Sequence, residues 1–309
     1  MKSLVISGGG AKGSWGGGVA QWLVESGKDY DMYVGTSTGN LLIPLTALKK
    51  MDQLKTAYTT VTQCDIFRHS PFKVIKKNGK ITSELRYLAI IWNMLVRGQK
   101  TFGDSSNLKL LIGKFFTEDD FNTLRKNKKE IFSCVANLTE GHVEYRSSME
   151  ESYEDFCDYM YASTCMSPLM SLIDKNGCDY MDGGIFDNIP IQKAIDRGAT
   201  EIDVIALRPE GGSTGANARM HNALEIIQRA FDCMLKEIGN DDVSIAKFVA
   251  KDKDVTLNVY YTPRNLTDNP LIFDMDVMTG WWNEGYAFFQ DRRPHKTYKI
   301  TKNKVTLVK

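Results

Sequence analysis

The sequence has no long apolar run. The longest uninterrupted one, Tyr87-Leu88-Ala89-Ile90-Ile91-Trp92, falls far short of the ~18 residues that a membrane span needs. Nor is secretion by a leader peptide expected. Met1-Lys2-Ser3-Leu4-Val5-Ile6-Ser7 runs into glycine after three apolar residues, without a longer apolar stretch or a small-residue cleavage site, so a cytoplasmic protein is expected. The six cysteines (Cys64, Cys134, Cys157, Cys165, Cys178, Cys233) contain no C-x-x-C pair. They read as free, mostly buried thiols in a reducing compartment. The four histidines (His69, His142, His221, His295) lie far apart and meet no cysteine or carboxylate at ligand spacing, so no metal is expected. A surplus of charge is lacking as well. Lys+Arg 39 against Asp+Glu 38 leaves a formal net charge of +1, which excludes a strongly basic nucleic-acid binder.

What remains is an ordinary globular composition, 42% hydrophobic and 25% charged over 309 residues, enough to build a full core without disulfides or metal. Strand and helix patterns alternate. Leu4-Val5-Ile6 and Tyr33-Val34 read as short buried strands, followed by helical stretches around Val19–Glu25 and from Leu41 to Leu48. Ile131–Ala136 is β-rich and enters the turn Thr139-Glu140-Gly141, with Val143–Arg146 as its hairpin partner. Ile202–Leu207 and Val255–Tyr261 are further strands, and long polar helices are expected over Arg219–Ile238. Such alternation predicts an α/β fold with a mostly parallel sheet covered on both faces. With no repeat and no Pro/Ser-rich linker, residues 1–309 are expected to form a single domain.

Charge is uneven along the chain. Arg68, Lys73, Lys76, Lys77 and Lys80 occur without an acid between them, as do Arg292, Arg293, Lys296, Lys299, Lys302, Lys304 and Lys309 in the basic C-terminal segment 292–309. Such runs usually form a solvated face; the sharper reading is a surface that meets anionic lipid headgroups. Leu85, Leu88, Ala89, Trp92, Leu95 and Val96 fall at helical spacing, with Ile90, Ile91 and Met94 extending the apolar surface around the cylinder. A helix of this kind is expected to be buried, although basic plus apolar is also what an interfacial element requires. The aromatic stretch Phe273–Phe289, with Trp281, Trp282, Tyr286 and Phe288, is expected to form core or a pocket wall.

The most informative segment is Gly35-Thr36-Ser37-Thr38-Gly39, between a strand and a helix. G-x-S-x-G in that setting is a nucleophile elbow, in which the serine occupies a turn too tight for bulky neighbours. The following helix points its N-terminus at the serine and favours negative charge there. Gly8-Gly9-Gly10-Ala11-Lys12-Gly13, directly after the first strand, lets successive N–H groups face one concavity, an arrangement that binds anions. A phosphate loop would need Lys after its second glycine, and here Lys12 precedes Gly13. The G-x-G-x-x-G dinucleotide pattern is matched literally, so a nucleotide-binding protein remains an alternative, although no distinct acidic partner ends the second strand. No histidine sits in a setting suited to a Ser-His-Asp triad. Asp182-Gly183-Gly184 instead places a carboxylate at a strand end, either as the serine's base or as an ordinary Asp-Gly turn.

These motifs, in this order, resemble the patatin-like phospholipases. Ala162-Ser163-Thr164-Cys165-Met166-Ser167-Pro168 is similar to that family's small-residue segment. Asp182-Gly183-Gly184-Ile185-Phe186-Asp187-Asn188-Ile189-Pro190 is similar to its aspartate loop. The resemblance covers roughly residues 1–210, with the motifs inside 8–190. It implies a three-layer α/β/α fold and a dyad of Ser37 and Asp182. It further implies an oxyanion hole from the N–H groups of Gly8, Gly9 and Gly10, with Lys12, Gly13, Gly35, Thr38, Gly39, Gly183 and Gly184 supporting the site. The reaction implied is metal-independent, cofactor-free hydrolysis of acyl-lipid esters, with peripheral contact at a membrane or micelle and no nucleic acid. Ser7 stands where many members have Asp, and Asn40 stands where a second glycine or small residue usually follows the elbow. A catalytically inactive lipid-binding module is the remaining alternative.

Overall fold

The computed structural model describes residues 1–77, 80–211, 223–250, 253–290, 296–301 and 304–308. The strands are β1 Lys2–Ile6, β2 Met32–Thr36, β3 Phe72–Lys77, β4 Lys80–Leu85, β5 Glu130–Asn137, β6 His142–Ser147, β7 Ile173–Lys175, β8 Cys178–Asp182, β9 Glu201–Ala206, β10 Val255–Tyr261, β11 Lys296–Thr301 and β12 Lys304–Leu307. The helices are α1 Gly13–Glu25, α2 Thr38–Ala47, α3 Met51–Thr59, α4 Gln63–Ile66, α5 Tyr87–Arg97, α6 Ser106–Phe115, α7 Glu118–Lys126, α8 Tyr153–Thr164, α9 Ile191–Asp196, α10 Ala223–Val249 and α11 Met275–Gln290.

The main sheet runs β12-β11-β10-β9-β1-β2-β5-β8-β7, with β6 also paired to β5. Its centre, from β10 through β9, β1 and β2 to β5, is parallel, and its margins are antiparallel. Side chains alternate across the strands, so each face buries its own core. Leu4 and Ile6 join one cluster with Trp15, Leu42, Phe121 and Phe156 from the covering helices. Val5, Met32 and Val34 join the other, with Ile191, Ile195, Val243 and Ala246 from α9 and α10. Two cores separated by one sheet make the three-layer α/β/α arrangement.

The strands and the hairpin read from the pattern of the sequence are all present. Three differences have physical reasons. The expected helices over Arg219–Ile238 form one long element, α10; Arg219 lies outside the described residues. The strand end expected at Asp182 is β8, whereas β7 and the β3–β4 and β11–β12 pairs, which carry polar residues in place of buried runs, were not expected. The third difference is α5. Ile90 and Asn93 are buried, whereas Leu88, Ile91, Trp92, Leu95 and Val96 are exposed, so the expectation of a buried helix fails. Within the aromatic stretch Trp282 is fully buried against α1, and Phe273, Trp281 and Phe288 pack half-buried against the same core.

Only Cys134 and Cys165 among the six thiols are buried, and all six are free. Arg292, Arg293, Lys302 and Lys309 of the basic C-terminal segment lie outside the described residues. Among the described residues no helix is long and apolar enough to cross a membrane.

Candidate active site

The site forms where three strands end. β2 pairs with β5 up to the register Thr36–Cys134. β8 approaches from the opposite direction and pairs with the same edge of β5, ending at Asp182–Val135; β6 occupies the other edge of β5 along its length. The two strands therefore meet nearly head-on, and the residue after β2, Ser37, faces the residue that ends β8, Asp182.

Ser37 has φ 55° and ψ −127° and opens α2, a sparsely populated backbone state of the kind that functional turns hold under strain. Its neighbours permit the turn only as glycines. A Cβ on Gly35 would lie 2.6 Å from the Asn40 nitrogen, and one on Gly39 would collide with the Ile6 carbonyl oxygen. The Ser37 N–H donates to Ser163 Oγ at 3.0 Å, and that hydroxyl donates to the Cys134 carbonyl at 2.6 Å. Thr38 is held by the Tyr58 phenol, 2.7 Å from its Oγ1.

Asp182 is buried, with Oδ1 accepting the Gly184 N–H at 2.9 Å. Burial pushes its carboxyl up to about 6, against the pull of hydrogen bonds from the Ser37 hydroxyl and the Gly184 amide. The carboxylate is thus ionised at neutral pH, yet close enough to its titration range to accept a proton. The loop beyond it is pinned by Asp242, whose Oδ2 accepts the Asn188 and Ile189 N–H groups at 3.0 and 2.8 Å. Burial raises the carboxyls of both Asp187 and Asp242, and the Asp187 charge adds to the rise at Asp242.

The glycine loop curls over the same point. The Gly8 N–H already donates to the Asn188 carbonyl at 3.1 Å, whereas the N–H groups of Gly9 and Gly10 meet no acceptor among the described residues. Gly10 has φ +55° and lines the cavity. Of the three expected donors, Gly8 is engaged by Asn188 and Gly10 alone lines the cavity. Lys12 does not line the cavity. Burial lowers its amine to about 8, with Asp232 pulling upward and Arg208 downward. Gly13 gives α1 its close approach to Thr38 and Tyr58, and Gly183 lies tight against the Cys134 carbonyl.

Ser37, Asp182, Gly10 and Thr38 open into a cavity of about 100 Å³ with a mouth open to solvent. Its walls are otherwise almost wholly apolar, with Leu41, Leu45, Met160, Leu108, Ile112 and Phe115 among them. A pocket of this polarity suits an aliphatic chain better than a phosphate-rich ligand. The sequence did not single out Ser163, Tyr58 or Asp242 for a role. Ser163 stands in the small-residue segment noted above, and the other two carry no motif.

The model of patatin-like phospholipases matches residues 4–195, a span that contains every strand of the site. The chain belongs to the patatin-like phospholipase family. This patatin-like chain is 25% identical to lysophospholipase NTE1 of Candida glabrata over 209 residues, 64% of its own length. It spans about a tenth of that relative, 10% of it by alignment. Among solved structures, VipD from Legionella pneumophila is similar over 96% of this chain and 68% of its own, at 16% identity and a TM-score of 0.49.

Proposed function

We propose that this patatin-like protein hydrolyses carboxylic esters of acyl lipids through a Ser37–Asp182 dyad, within one domain built from the whole chain. The observation that carries the reading is Ser37 and the buried Asp182 carboxylate together on the wall of an apolar cavity, at the meeting ends of β2 and β8. In the first half-reaction the Ser37 oxygen attacks the acyl carbon as its proton passes to Asp182. The Gly9 and Gly10 N–H groups and the N-terminus of α2 stabilise the oxyanion. The ester C–O bond then breaks, and the leaving alcohol takes the proton from Asp182. Water repeats the steps on the acyl-enzyme, giving up its proton to Asp182; Ser37 recovers a proton and the fatty acid leaves.

The apolar wall takes the acyl chain and leaves the headgroup towards solvent, which suits phospholipids and lysophospholipids alike. A fluorophosphonate should label wild-type protein at Ser37 and fail on Ser37→Ala. Both Ser37→Ala and Asp182→Asn should lose turnover of lysophosphatidylcholine by several orders of magnitude. Labelling that persists in Ser37→Ala, or full turnover by either variant, would overturn the dyad. Tight nucleotide binding without labelling would move the glycine loop to a different chemistry.

A further inference from the structure

The helix α5 is built inside out. Around its axis Tyr87, Ile91, Leu95, Leu88, Trp92 and Val96 follow one another on a single broad face, which is the exposed one. Leu88 is 85%, Leu95 81% and Trp92 58% exposed, whereas the one amide of the helix, Asn93, is among its buried side chains. Among the described residues no helix or strand packs extensively against α5. An isolated exposed leucine needs no explanation, but a contiguous face of six large apolar residues does.

Charge selects what covers it. The stretch from Leu85 to Gly103 carries Arg86, Arg97 and Lys100 and no acid, so cations flank the apolar face at both ends. Arg68 and Lys73 on the preceding basic stretch are also exposed. Tryptophan and tyrosine beside aliphatic residues, bracketed by Arg and Lys, are what the boundary between headgroups and acyl chains accommodates. The placement also fits. Leu85 lines a small hollow with Phe102 and Met166, and Met166 lines the active-site cavity as well. Beyond α5, the Phe102 N–H donates to the Pro168 carbonyl at 2.7 Å, tying the helix flank to the segment that leads into β8.

We infer that the exposed face of α5 is a docking surface for an anionic lipid bilayer, which sets the apolar cavity against the membrane from which its substrate comes. The choice of lipid as occupant rests on the acyl-lipid reading above. The face enters the boundary region with Leu88, Trp92 and Leu95, while Arg86 and Lys100 stay among the headgroups.

The test is co-sedimentation of the full chain with phosphatidylcholine vesicles, with and without phosphatidylserine. Wild-type protein should bind the phosphatidylserine vesicles more tightly. The triple variant Leu88→Gln, Trp92→Gln, Leu95→Gln should bind them at least about tenfold more weakly. That variant should keep its turnover of a soluble short-chain nitrophenyl ester, which also shows that it folds, and should lose hydrolysis of vesicle lipid in parallel with binding. Arg86→Ser with Lys100→Ser should remove the preference for phosphatidylserine. Ser37→Ala should bind vesicles as wild type does, so a failed dyad and a failed docking surface give different results. Undiminished vesicle binding by the triple variant would overturn the inference. So would a wild-type dimer that those three substitutions disperse, since the face would then belong to a second copy of the chain.

Discussion

The Ser37 amide donates to the Ser163 hydroxyl at 3.0 Å, and that hydroxyl donates in turn to the Cys134 carbonyl at 2.6 Å. One buried side chain thus ties the strained turn after β2 to the middle of β5 from the C-terminal part of α8. The elbow is not held by its glycines alone; they only permit it.

Ser163→Ala should therefore leave a buried N–H and a buried carbonyl without a partner. The expected cost is about 1–3 kcal/mol in stability, with a loss in kcat/KM of at least about tenfold as the serine drifts from Asp182. Chemical denaturation and steady-state turnover of a soluble ester would measure the two effects. Unchanged turnover would show that the Ser163 bond does not position the nucleophile.

Gly39→Ala should be far more damaging. The added methyl group collides with backbone, the Ile6 carbonyl oxygen, and backbone cannot step aside as a flexible side chain can. We expect loss of soluble protein or destabilisation of more than about 3 kcal/mol. Gly113→Ala is the matched control, because that exposed position in α6 has open space around it. It should gain about 0.5–1 kcal/mol from helix propensity. Thermal unfolding of the two variants side by side would check both signs.

The pH dependence follows from Asp182. The carboxylate is the proposed base, so kcat/KM should rise as pH increases through about 6 and then level off. The stability effect has the opposite sign. A carboxyl whose pKa is raised on folding binds more protons in the native state, so its contribution to stability falls as pH climbs from the unfolded value near 3.8 to about 6. Above that window the buried charge costs on the order of 3 kcal/mol. Asp182→Asn should consequently be inactive yet melt higher than wild type at neutral pH, with the gap closing below about pH 4. A lower Tm for Asp182→Asn at neutral pH would show that the carboxylate's hydrogen bonds outweigh its desolvation.

The cavity should set chain-length preference. Ala57 lines its wall, and Ala57→Phe would fill part of the space. Turnover of long-chain nitrophenyl esters should fall by about tenfold or more, with short-chain esters little affected. An equal loss at all lengths would mean that the acyl chain lies elsewhere.

The parts of this protein that were legible before folding are those whose requirement is local. Gly35 must clear Asn40 within its own turn, although Gly39 answers to the Ile6 carbonyl of β1, and alternation of Leu4, Val5 and Ile6 between two cores follows from the pleat of a strand. The glycine loop was legible as a source of N–H groups, but which of them are available was not. The Asn188 carbonyl that engages Gly8 arrives from 180 residues later in the chain.

The relation between Ser37 and Asp182 belongs to the tertiary structure. It exists because β2 and β8 share one edge of β5 and run towards each other, and no periodicity in either strand encodes that meeting. The roles of Ser163 and Asp242 arise in the same way, through hydrogen bonds between segments far apart in sequence. For α5 the periodicity determined that a helix would form with a broad apolar face. Only the surroundings decide which way such a face turns, and here the fold leaves it turned outward.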